Sequence, residues 1–187
     1  MVVYAELYAL NEARAYDELG SVQGSIIPWF YGIHQFQLPD GTTLSGLLME
    51  YIDARKPSSP ELTPERQIQT IASCRHAVRV LDIADVAQRD WHDEQVVLYT
   101  NPISKLDHAI LVDFASTTQT WGPTDLNYID NYFGLLHTLL GRRGDSIGLN
   151  YELVWKHFGE PDDWDPVLAI IPTVSRGKGK GEEGGRG

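Results

Sequence analysis

The sequence predicts an α+β fold, on three observations. Residues 25–52 read as an antiparallel hairpin around the turn Leu38-Pro39-Asp40-Gly41, and residues 95–112 as a second one with Asn101-Pro102 in its connection. Apolar residues recur at helical spacing over residues 4–19, 63–85 and 129–140. The chain has 187 residues, 42% of them hydrophobic, which is enough for one buried core.

In residues 4–19 the recurring positions are Tyr4, Leu7, Tyr8, Ala15, Tyr16 and Leu19, and Gly20 ends the run. Glu12 lies four residues from both Tyr8 and Tyr16, on their face. A carboxylate on an apolar stripe needs a partner or an opening to water. Taken from this helix alone, Glu12 reads as a boundary residue reaching solvent. A strand follows at 25–37, in which Pro28 marks an edge or a bend. Its partner runs from Thr43 to Ile52.

Residues 54–62 form a linker containing Lys56-Pro57-Ser58-Ser59-Pro60. A long helix starts at Thr63-Pro64-Glu65: a threonine N-cap, a proline at the first helical position and an acid at the positive helix end. Ile68, Ile71, Cys74, Val78 and Leu81 form its buried face. The helix at about 129–140 turns Tyr132, Leu135, Leu136 and Leu139 inward, and a short helix covers Tyr151 to Phe158. From Ser175 the chain is rich in glycine and charge and reads as disordered.

Lys and Arg number 15 against 26 Asp and Glu, a net charge of −11. A chain this acidic lacks the footprint for binding nucleic acid or an anionic membrane. No apolar stretch approaches the length of a membrane span, and the start meets Glu6 without a basic segment. The lone Cys74 forms no intrachain disulfide and no thiolate zinc site, and it reads as a small buried residue. These features point to the cytosol, or the nucleus. His34, His76, His108, His137 and His157 show no metal-ligand spacing. Trp121, Trp155 and Trp164 read as packing residues, and the acidic run Glu160 to Asp165 as a solvated face.

The chemistry concentrates at the second hairpin. Gln88-Arg89-Asp90-Trp91-His92-Asp93-Glu94-Gln95 precedes it and Asp113-Phe114-Ala115 follows it. A hairpin brings its ends together, so Asp90 and Asp113 belong on one side of the sheet. Two close carboxylates repel and stabilise a fold poorly, but they suit a divalent cation or a general base.

Arg89-Asp90, then Gln95, then a strand pair, then Asp113-Phe114 resembles the catalytic loop and metal motif of the protein kinase-like superfamily. Other stretches stand in the order that the resemblance requires. The helix with Glu12 is similar to the regulatory helix of the small lobe, and Met49-Glu50-Tyr51-Ile52 to its last strand and hinge. The helix 63–85 resembles the one that feeds the catalytic loop, and the helix near Ile129 the central helix of the large lobe. Gln23-Gly24, Ile27-Pro28, Tyr31-Gly32, Leu48-Met49-Glu50-Tyr51 and Asp90-Trp91-His92 are similar in wording to kinase-like proteins of filamentous and mushroom-forming fungi.

The resemblance spans about residues 5–140 and implies an incomplete kinase-like fold. Residues 1–53 would be a partial small lobe ending in the hinge, 54–174 a partial, mainly helical large lobe, and 175–187 a tail. It implies ATP and magnesium as cofactors. Arg89, Asp90 and His92 would belong to the catalytic loop, with Asp90 accepting the proton of the substrate hydroxyl. Asp113 would hold magnesium, with Gln95 at the position of a second metal ligand. The backbone of Glu50 to Ile52 would meet the adenine, and Glu12 would pair with a lysine on a preceding strand.

Several positions depart from the family pattern. Gln88 replaces a histidine, Gln95 an asparagine and Ala115 a glycine. His92 replaces a lysine and brings less positive charge at neutral pH. Nothing before Glu12 reads as a Gly-rich loop or a lysine-bearing strand. The resemblance with these departures implies a degenerate, pseudokinase-type scaffold with a protein partner. The alternative is an ATP-dependent kinase acting on serine and threonine hydroxyls through Asp90 and Asp113.

Overall fold

The computed structural model describes residues 2–57, 62–119, 125–141 and 147–159. In chain order these hold α1 (Val2–Glu18), β1 (Phe30–Gln37), β2 (Thr43–Met49), α2 (Pro64–Ile83), β3 (Val86–Gln88), β4 (Val96–Thr100), β5 (Asp107–Leu111), β6 (Thr117–Gln119), α3 (Asp125–Leu140) and α4 (Tyr151–Phe158). The strands form two-stranded antiparallel sheets, β1 with β2, β3 with β6 and β4 with β5. The chain is therefore α+β, as its sequence predicts. The tail from Ser175, Trp121, Trp164 and the run Glu160 to Asp165 lie outside the described residues.

The described burial along α1 begins at Glu12 and continues through Ala15 and Tyr16 to Leu19 just past its end. Leu7 and Tyr8, expected on the same stripe, are exposed. The first strand starts at Phe30, later than the sequence suggests. Ile26 and Ile27, expected in that strand, are buried in the turn that precedes it. Gly24 makes that turn: its φ is +74°, and the Trp29 indole occupies the space a Cβ would fill. Gln23 holds both sides of it. Its Nε2 donates to the Tyr16 carbonyl at 2.8 Å, and its Oε1 accepts from the Phe30 amide at 2.9 Å.

β2 ends at Met49, so Glu50 to Ile52 leave the hairpin as a connection. The Glu50 amide still donates to the Trp29 carbonyl at 2.8 Å. Its carboxylate Oε2 accepts from the Trp29 amide at 3.1 Å.

α2 begins as the sequence dictates, with Thr63 Oγ1 accepting from the Arg66 amide. Ile71, Cys74, Val78 and Leu81 are buried, and Ile68 is half-buried at the margin. Burial pushes the Cys74 thiol up to about 12, so it is an inert core residue. Tyr132, Leu135, Leu136 and Leu139 of α3 join this core, as do Val154 and Phe158 of α4. Trp155 departs from its expected packing role: it is exposed, with its ring parallel to that of Tyr151.

One ion-pair cluster ties α2 to the second hairpin. Asp107 opens β5 with its side chain fully buried. It accepts from Arg66 Nη2 at 2.7 Å and Nε at 2.8 Å, and from Thr100 Oγ1 at 2.6 Å. Arg55 stands at 3.5 Å from the same carboxylate. Burial alone would raise the Asp107 pKa, but the Arg66 and Thr100 hydrogen bonds and the two guanidinium charges together hold it below the usual range.

Asp107→Ala is expected to cost about 2–4 kcal/mol in urea denaturation followed by circular dichroism, because it leaves Thr100 and two arginines without their acceptor. The lowered pKa also fixes a sign. The stabilisation by Asp107 is full above roughly pH 4 and is lost as pH falls through the folded-state pKa. The gap between wild type and Asp107→Ala should therefore close in acid.

Candidate functional site

β3 delivers Gln88-Arg89-Asp90 to one end of the β4–β5 hairpin, and the end of β5 delivers Asp113. β3 pairs with β6 in the register Gln88 to Thr117, which places the two loops side by side. The side chain of Gln88, only 2% exposed, then joins them. Its Oε1 accepts from the amides of Arg89 at 2.9 Å and Asp90 at 3.2 Å. Its Nε2 donates to the carbonyl of Asp113 at 2.7 Å. A carboxamide can accept from one backbone while donating to another. The backbones of Asp90 and Asp113 are thus neighbours, with both side chains exposed.

Asp113 has φ +63°, in the left-handed region that non-glycine residues adopt only under constraint. Gln88 supplies one constraint. Phe114 supplies the other: its ring is buried edge-on against Tyr16 at 5.4 Å, and Tyr16 stacks on Phe30 at 4.8 Å. The Phe114 amide donates to Glu12 Oε1 at 3.4 Å.

Glu12 is therefore not the solvent-reaching boundary residue that its helix suggests. It is 8% exposed and directed at the Asp113 turn. Burial is the main cause raising its pKa. The Phe114 amide lowers it, and the Asp113 charge raises it further. Burial, with the charges of Glu12 and Asp113, also pushes the neighbouring Tyr16 phenol up.

Arg89 turns away from Asp90. Its Nε donates to Thr118 Oγ1 at 2.9 Å on β6, and its guanidinium is ion paired with Asp130 on α3. His92 opens a one-turn 3-10 helix, Asp93–Gln95. Gln95 is 2% exposed; its Oε1 accepts from the His92 amide at 3.2 Å, and its own carbonyl accepts from the Val112 amide at 3.0 Å. Trp91 lies against Gly134 of α3, where any Cβ would collide with the indole.

Glu50 and Ile52 line a cleft of about 540 Å³ together with Ile27, Tyr99, His108 and Ile110. Asp90, Asp113 and Gln95 are not part of that wall. Among the described residues no three His, Cys, Asp or Glu side chains converge to hold a metal. Magnesium takes oxygen ligands and is commonly held by one or two carboxylates together with phosphate oxygens. The exposed Asp113 suits an ion that arrives with phosphate. Gln95 Oε1, already accepting from His92, suits one less well.

Two residues of this site were not singled out by sequence reasoning, Asn131 and Asp82. Asn131, 0% exposed, accepts from the Gln88 amide at 3.0 Å and donates to Asp82 at 2.7 Å. The available signal is a polar residue at Asn131, directly before the core position Tyr132 and four residues before Leu135.

No known protein family matches the chain, and no curated protein matches it either. No described helix is long and apolar enough to cross a membrane.

Glu12→Gln keeps an acceptor for the Phe114 amide and removes the buried charge. A raised folded-state pKa makes a contribution that is full at low pH and lost as pH rises. The variant should therefore gain stability over wild type as pH rises above about 4, read by urea denaturation across a pH series. Gly134→Ala should destabilise by about 1–3 kcal/mol through overpacking and shift the tryptophan emission, despite alanine's better helix propensity.

Proposed function

We propose that this chain is a protein kinase-like domain of degenerate type, acting as a binding or scaffold module. The observation that carries the reading is the Gln88 bridge. It holds Asp90 and the left-handed Asp113 together, while the following Phe114 amide meets Glu12 of α1. The order of those residues in the chain is the order on which the kinase resemblance rests.

The scaffold role draws on the same site. Gln95 is buried and hydrogen bonded within its own turn. Arg89 is directed to Asp130 and Thr118. Phosphoryl transfer depends on positioned charge and metal ions at the phosphates. Of the expected donors there, Asp90 and Asp113 are the exposed carboxylates. The second reading, an ATP-dependent phosphotransferase, is favoured by that exposure alone. In it Asp90 takes the hydroxyl proton and Asp113 holds the magnesium that ATP brings.

Thermal denaturation with ATP, with and without magnesium, separates the two. The scaffold reading expects an unchanged melting temperature. A ligand at tenfold its Kd adds about 1.4 kcal/mol, roughly a 3–6 °C rise for a chain of this size. A magnesium-dependent rise of that order, lost in Asp113→Asn, would establish a nucleotide site and favour the phosphotransferase.

A further inference from the structure

Asp82 stands in the last turn of α2, behind the loops that carry Asp90 and Asp113. Its Oδ1 accepts from Asn131 Nδ2 at 2.7 Å. The same Nδ2 donates to the Val86 carbonyl at 2.9 Å, which fixes the orientation of the amide. Asn131 Oδ1 then accepts from the Gln88 amide at 3.0 Å. Gln88 in turn accepts from the Asp90 amide and donates to the Asp113 carbonyl. Hydrogen bonds thus lead from one carboxyl through Asn131, 0% exposed, to the backbone of Gln88, 2% exposed, whose own side chain then reaches both loops. The other oxygen of that carboxyl, Oδ2, is buried and has no hydrogen-bond partner among the described residues.

We propose that Asp82 is a positioning residue for Asp90 and Asp113, and that its gain or loss of a proton is transmitted to both loops through Asn131 and Gln88. A carboxylate holds the Asn131 amide by a charge-assisted bond, and a neutral carboxyl holds it more weakly. Adjacent hydrogen bonds polarise one another as far as the Gln88 amide; beyond it a shift of the Gln88 backbone moves the side chain that Asp90 and Asp113 share.

The pKa of Asp82 is raised to about 7, chiefly by burial, against the Asn131 hydrogen bond and the Arg79 charge, which lower it. Arg79 belongs to α2 itself. Among the described residues, Asn131 of α3 meets the carboxyl, and the same Asn131 amide is shared with the Val86 carbonyl of β3. β3 has no ionisable side chain, and Asp130, beside Asn131 on α3, is ion paired with Arg89. The link itself is independent of any ligand; it rests on the kinase-like reading only for what Asp90 and Asp113 do.

The test is an NMR titration of the full chain from acid to alkaline pH, without nucleotide. It follows the aspartate side-chain carboxyl carbons and the backbone amides of Gln88, Arg89 and Asp90. One carboxyl is expected to titrate with a midpoint of about 7 and to be absent from the spectrum of Asp82→Asn. The Gln88 and Asp90 amides should move with the same midpoint in wild type and stay flat in the variant. Amides that stay still while Asp82 titrates would overturn the proposal, as would amides that move equally in Asp82→Asn. An Asp82 midpoint in the ordinary carboxylate range would also overturn it. Should Asp82→Asn not fold, the wild-type titration decides alone, since shared or unshared midpoints are read in one sample. A merely structural Asp82 would lower the melting temperature without coupling the amides to its midpoint. Because no nucleotide is present, failure of the kinase-like reading would show in the ATP melting experiment and not here.

Discussion

The rest of the site depends on one side chain that both accepts and donates. Gln88 must accept from the Asp90 amide and donate to the Asp113 carbonyl within the same buried space. A carboxylate could only accept, and an ammonium could only donate. Buried backbone groups left unpaired cost free energy, so the bridge satisfies each strand end and also holds the two loops in register. It further compensates the left-handed backbone of Asp113, a conformation that persists only where the surroundings fix it.

What the hydrogen bonds align, the aromatic rings hold in place. Phe114 follows Asp113 directly and is buried against Tyr16, which stacks on Phe30. The position of α1 and of the first hairpin is thereby coupled to the turn at Asp113. A second tie runs from the Leu111 amide to the Ile26 carbonyl at 2.8 Å, just before that turn. Apolar burial supplies most of the attraction, and the backbone tie selects one register among those that burial would allow.

Electrostatics divides the molecule differently. Asp107, buried with Arg66, Arg55 and Thr100 around it, is ionised and holds α2 to β5. Glu12 and Asp82 are pushed the other way, chiefly by burial. Each of these two connects by hydrogen bonds to the Asp113 turn, one through Phe114 and the other through Asn131 and Gln88. Carboxyls whose pKa is raised by burial cluster at functional sites. The contrast with Asp107 separates the framework of this chain from its candidate site.

The sequence by itself determined the elements whose periodicity is long. α2 is set by Thr63, Pro64 and the Ile71–Cys74–Val78–Leu81 stripe, and α3 by Tyr132, Leu135, Leu136 and Leu139. The second hairpin and the nearness of Asp90 to Asp113 followed from strand pairing alone, because a hairpin must bring its ends together. The pairing of β3 with β6 was not legible, since three residues carry no usable period. Glu12 was ambiguous for a related reason: its own helix shows which face it occupies, but not that Phe114, far along the chain, comes to lie on that face. The roles of Asn131 and Asp82 likewise arose only when α2, β3 and α3 met. A hydrogen-bond partner distant in sequence leaves no local pattern. Tertiary structure alone decided which buried polar groups answer one another.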